Sequence, residues 1–195
     1  MNRTAVLLLG LAIAAGAFDD SYTSYGALLD KYVCEGGVAY EALGNDSPAL
    51  RAAAKEFRAV SEKDYERFSV KQKIAYLINL YNFYTLKLIV NHYPTESIRD
   101  IKKPWDTELV PLPGKNVSLD HVEHEVLRKE FREPRVHFAL VCASIGCPAL
   151  SDDPFMAETL DAQLDAAGKA FLTNPTKNRV EGKTVYLSKI FKWYG

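Results

Sequence analysis

The stretch HFALVCASIGCP, residues 137–148, sets one histidine and two cysteines into an otherwise apolar run. A thiol near an imidazole is the material of nucleophilic catalysis, because the imidazole takes the proton and the thiolate attacks. Cys142 ends the apolar run and precedes a loop of small residues, Ala143-Ser144-Ile145-Gly146, whose backbone N–H groups suit a developing oxyanion. Cys147 is followed by Pro148, which holds it extended at the far end of the loop. Cys142 is therefore expected to be the reactive sulfur, with Cys147 and His137 supporting. The same residues admit two other readings. Cys142 and Cys147 could close a local disulfide in a non-catalytic binding module. Together with His121, His124 and His137 they could instead bind zinc, although C-x4-C with H-x-x-H is not a standard zinc pattern.

A second group lies in SLDHVEHEVLRKEF, with Ser118 as the expected N-cap and Asp120 in the first turn. At 100° per residue, Leu119, Val122 and Val126 form a buried stripe that Leu127 widens. Glu123 projects into that stripe. His124 lies on its flank in line with Asp120 and Arg128, while His121 and Glu125 face outward. A carboxylate on an apolar face is costly without a partner. The partner is either a base such as Arg135, or Glu123 and His124 reach one site from the helix edge. The favoured chemistry is a cysteine-dependent hydrolase or acyl transferase of peptidase- or transglutaminase-like type. In it Cys142 is the nucleophile, His124 the base, and Glu123 or Asn79 the group that orients the imidazole. No cofactor is required, and the substrate is an unidentified small molecule, peptide or acyl compound.

These residues need elements to hold them. IAYLINLYNFYTLKLIV is apolar on every side and belongs to a helix of about residues 69–93, which should be the central buried helix. Asn79 and Asn82 lie within it on one face, and their amides must find polar partners, either loop backbone or an active-site group. YTSYGALLDKYV has amphipathic helical spacing, and Ser47-Pro48 opens a helix through LRAAAKEFRAV with Ser47 as its cap. The run 136–141 reads as a central strand ending at Cys142. MAETLDAQLDAAGKAFL reads as an amphipathic helix with apolar residues at Met156, Leu160, Leu164, Ala167 and Phe171, and residues 179–181 and 184–187 as a hairpin turned at Gly182-Lys183. The expected fold class is α+β, with helices around the central helix against a small, mostly antiparallel sheet.

Composition narrows the function further. The chain has 195 residues, 48% apolar and 25% charged, enough for one core. With 24 basic and 25 acidic residues the net charge is −1, so no positive field exists to attract nucleic acid. MNRTAVLLLGLAIAAGAF has the pattern of a secretory signal, with cleavage expected after Ala17 and a single globular domain over residues 18–195. Its apolar run is shorter than the roughly 20 residues of a membrane-spanning helix, so no stable transmembrane segment is expected after cleavage. The expected location is secreted or periplasmic. Of three cysteines in an oxidising compartment at most two can pair, which leaves a thiol over.

The motifs NLYN, LDHVEHEVLR, PRVHFALVCASIGCP and LSKIFKWYG, in this order, resemble the family called domain of unknown function 547. The resemblance begins near Leu28, at ALLDKYVCEGGVAYEAL, and runs to the last residue. It implies a motif set of Asn79, Asn82, Glu123, His124, Arg128 and Cys142, with His137 and Cys147 added in the bacterial-type pattern. Cys34 and His121 match no motif. No activity comes with the resemblance.

Overall fold

The computed structural model describes residues 20–144 and 146–193, so the expected leader lies outside the described residues. The fold is α+β: helices gathered on one buried helix, with three short antiparallel hairpins at the margins. Helix α1 (Thr23–Tyr32) buries Tyr25, Leu28, Leu29 and Tyr32, the spacing of one helical face. Strands β1 (Val33–Cys34) and β2 (Gly37–Val38) pair around Glu35 and Gly36, both at positive φ. Gly36 is required twice over, since a Cβ there would stand 2.5 Å from the Cβ of Ala149. Helices α2 (Tyr40–Asn45), α3 (Ser47–Arg58) and α4 (Glu62–Arg67) follow. The cap of α3 is Asp46 rather than Ser47: its carboxylate accepts the Ala49 N–H at 3.1 Å, which leaves Ser47 and Pro48 inside the first turn.

Helix α5 (Val70–Val90) is the central helix, capped by a reciprocal Ser69–Gln72 box and buried on all sides from Ile74 to Leu86. It ends at Val90, and the chain leaves through hydrogen-bonded turns, with His92 donating to Ile89 and Tyr93 to Val90. Tyr25, Phe57 and Phe83 pack ring to ring, with centroids 5.3–6.0 Å apart, and fix α1 and α3 on α5. Strands β3 (Val110–Leu112) and β4 (Lys115–Val117) form the second hairpin.

After Ser118, whose hydroxyl accepts the His121 N–H at 3.1 Å, the helix widens into a π-helix over His121–Leu127 before one α-helical turn, α6 (Arg128–Glu130). The Arg128 N–H reaches back five residues to the Glu123 carbonyl. The 100° wheel therefore does not hold in detail, yet Val122, Glu123, Val126 and Leu127 are the buried residues, because the wider turn still presents that side to α5.

The run 136–141 is not a strand. Pro134–Phe138 is a 3-10 helix, opened by Pro134 and by the Glu133 carboxylate accepting the Arg135 N–H, and the Ala139 and Leu140 N–H groups both return to the Val136 carbonyl. Continuous apolarity marks burial, which Val136, Ala139 and Leu140 satisfy without a sheet. Helix α7 (Leu160–Thr173) crosses this segment, with Gly168 admitting the Phe138 ring 3.3 Å from where a Cβ would lie. Its buried stripe is Leu160, Leu164, Gly168 and Phe171, so Ala167 is displaced by its neighbour. The expected C-terminal hairpin is present as β5 (Arg179–Glu181) and β6 (Thr184–Tyr186), followed by α8 (Ile190–Trp193). It pairs only with itself, so the described strands form three two-stranded sheets rather than one.

Candidate functional site

The loop that carries the cysteines is fixed from two directions. From α5, the Asn82 amide donates to the Ala139 carbonyl at 2.9 Å and accepts the Val141 N–H at 2.9 Å. It thereby satisfies the backbone that a neighbouring strand would otherwise serve. Asn79, one turn earlier, does the same for Phe155, donating to its carbonyl at 2.8 Å and accepting its N–H at 2.9 Å. Both asparagines are clamps on loop backbone, and Asn79 does not orient an imidazole. From the C-terminal region, Ser188 donates to the Gly146 carbonyl at 2.7 Å and the Lys177 ammonium donates to the Cys147 carbonyl. Burial lowers the Lys177 pKa.

Within this frame Cys142 and Cys147 are joined as a disulfide, with Cα atoms 6.1 Å apart. Neither is a free thiol in this form, and Cys34, exposed on β1, carries the thiol left over. Cys147 is buried and Cys142 half-buried. Ala143, next to Cys142, has φ +52°, a left-handed conformation that a side chain disfavours.

The π-helix sets out the second group. Arg128 Nη1 lies 3.0 Å from His124 Nδ1, and Asp120 Oδ1 lies 3.4 Å from His124 Nε2. A guanidinium only donates, so Nδ1 holds the lone pair and the imidazole proton sits on Nε2, facing Asp120. The carboxylate at His124 is thus Asp120. Glu123, the adjacent residue, turns inward: its Oε2 accepts the Tyr81 hydroxyl at 3.0 Å, and its Oε1 lies 3.9 Å from His137 Nδ1. Arg135 is not its partner, being spread over Glu133, Asp161 and Asp165 on the surface. Burial, with the charges of Arg128 and His124 behind it, pushes the His137 pKa down to about 4. Near neutral pH the ring is therefore neutral and its approach to Glu123 is not an ion pair.

Glu123, His124 and Cys142 line one cleft of about 410 Å³, together with Tyr81, Asp120 and Trp105. Residues from α5, the π-helix and the disulfide loop are thus brought to one place. His137 and Arg128 border a smaller cavity, and Cys147 lines a different one. Among the described residues no three metal-ligating side chains form a cluster that could hold an ion. The cleft also contains residues to which sequence reasoning gave no role in the site. Tyr81 stands between the two asparagines in NLYN, and Asp120 precedes His124 by four residues, so both had a usable signal. Trp193, also at the cleft, lies in the motif LSKIFKWYG, whereas Arg99 had no such signal.

A family model described as "Protein of unknown function, DUF547" matches residues 65–172. The chain belongs to this family. No curated protein and no solved structure matches the chain. The span shared with the family contains α5, the π-helix and the disulfide loop, hence all of Asn79, Asn82, Glu123, His124, Arg128, His137, Cys142 and Cys147. No helix among the described residues is long and apolar enough to cross a membrane.

Proposed function

We propose that this member of the family is an exported, cysteine-dependent hydrolase or acyl transferase that is latent while Cys142 is paired with Cys147. The observation that carries the reading is the convergence of Cys142 and His124, 18 positions apart, on one cleft walled by Tyr81 and Trp105. In the oxidised form the sulfur of Cys142 has no electron pair to give to a carbonyl as a thiolate would, and the Nδ1 lone pair of His124 is taken up by Arg128. A dithiol reductant returns two thiols and is itself oxidised. Nδ1 then exchanges the Arg128 N–H for the Cys142 proton, with Asp120 holding the Nε2 proton on the other side. The thiolate adds to an acyl carbonyl, the imidazolium protonates the leaving group, and water or an amine releases the acyl group from the thioester. Asp120 takes the orienting role here, and Glu123 supports the cleft wall through Tyr81. Export rests on the pattern of residues 1–17.

A second reading, a non-catalytic binding module, is favoured by the disulfide itself. One experiment separates the two. A variant lacking Cys34 is treated with or without a dithiol reductant, and the reductant is then removed. The protein is exposed to limiting iodoacetamide near pH 6 and assayed for hydrolysis of an activated ester. The enzyme reading expects that reduction opens both labelling and hydrolysis, that Cys142 is labelled before Cys147, and that His124→Ala removes the preference. Reduced protein that hydrolyses no faster than its Cys142→Ser variant leaves the binding module standing.

A further inference from the structure

A cavity of about 510 Å³ meets the disulfide loop at Cys147, whereas the cleft meets it at Cys142. One wall is a single face of α5, from Asn82 through Thr85 and Leu86 to Ile89; the β1–β2 turn and the segment after Cys147 form others. Its buried apolar lining is aliphatic, with Leu86, Ile89, Ile98 and Leu150 around it, while Tyr40 and Tyr93 border it with their rings. The volume is in the range of small-molecule sites, roughly 300–1,000 Å³.

Thr85 is the anomaly. It is 2% exposed, lines this cavity, and its hydroxyl has no hydrogen-bond partner in the described structure. A threonine inside a helix ordinarily returns its proton to the carbonyl one turn back, and this one does not. Valine has the same shape without the polar atom, so packing alone gives no reason for the hydroxyl. A hydroxyl on an aliphatic wall supplies a donor to whatever enters. The ammonium of Lys177 borders the same cavity from its place on the Cys147 carbonyl. Glu35 and Glu96, both exposed and also bordering the cavity, are the carboxylates that oppose an anionic head.

We propose that this cavity is a second binding site, for a medium-length aliphatic chain headed by a carbonyl or carboxylate oxygen. The chain lies on Leu86, Ile89, Ile98 and Leu150, and the head oxygen accepts the Thr85 hydroxyl. The site is independent of the chemistry proposed for Cys142 and is present in the oxidised protein.

The test titrates the oxidised full chain with octanoate by calorimetry and compares octylamine, which has the same chain and no acceptor at its head. Octanoate binds, and octylamine binds at least about tenfold more weakly. Thr85→Val weakens octanoate by about tenfold or more while its melting temperature equals or exceeds that of the parent, since the substitution only removes an unpaired buried hydroxyl. Ile89→Trp, which fills the cavity, abolishes binding. The proposal is overturned if millimolar octanoate does not bind, if octylamine binds as well, or if Thr85→Val binds octanoate like the parent. A lowered melting temperature in Thr85→Val also overturns it, because the hydroxyl would then have a partner inside the protein.

Discussion

Replacing Asn82 by leucine removes the clamp that holds the backbone leading into Cys142 while keeping the same branched heavy-atom shape. The Ala139 carbonyl loses its donor and the Val141 N–H its acceptor, both made at 2.9 Å. A buried polar group stripped of its partner costs about 1–3 kcal/mol. Ala139 is buried and bears most of that cost, whereas Val141 is half-buried and recovers part of it from water. The sum is about 3 kcal/mol. For a chain of this size each kcal/mol moves the melting temperature by about 2–4 °C, so Asn82→Leu should melt about 6–12 °C lower. Circular dichroism reads the shift. Native-state hydrogen exchange locates it, with the Val141 amide exchanging faster and the Phe155 amide, held by Asn79, unchanged. A shift below about 2 °C, or equal acceleration at both amides, would refute the account of Asn82 as a local clamp.

Three further outcomes follow from the same site. His137 is held neutral in the folded protein, with its pKa lowered from 6.5 to about 4. The unfolded chain therefore binds the extra proton, and stability falls as pH drops from about 6.5 and levels off below about 4, a loss of about 3 kcal/mol that His137→Gln should remove from denaturant titrations. Tyr81→Phe takes the hydroxyl from Glu123 Oε2 and should lower stability by about 1–3 kcal/mol; an unchanged urea midpoint would show that the bond contributes nothing. Ala143→Gly relieves a side chain held at φ +52° and should raise the melting temperature, by the equivalent of up to about 1 kcal/mol, and a lower value would count against strain at that position.

By itself the sequence determined those features whose physical cause is local. An all-apolar run of helical length marked α5 as the buried helix, Ser69 and Gln72 capped it, and the spacing in α1 and α7 assigned their inner faces, except that Met156 lies before α7 and Gly168 takes the place of Ala167. The line of Asp120, His124 and Arg128 was readable in the same way, because neighbours one turn apart touch in any helical form. What the tertiary structure decided depends on partners far along the chain. The run 136–141 had strand composition, but its backbone is served by Asn82, about 57 residues away, so no strand forms. Glu123 faces inward as the 100° wheel places it, but that its partner there is Tyr81 of α5 is set by the packing of the two helices. The two cysteines left thiol, disulfide and metal readings open; loop geometry brings their sulfurs together and leaves Cys142 facing one cavity and Cys147 another. Periodicity records which side of an element is buried, whereas the identity of the neighbour on that side is set by packing, which is non-local.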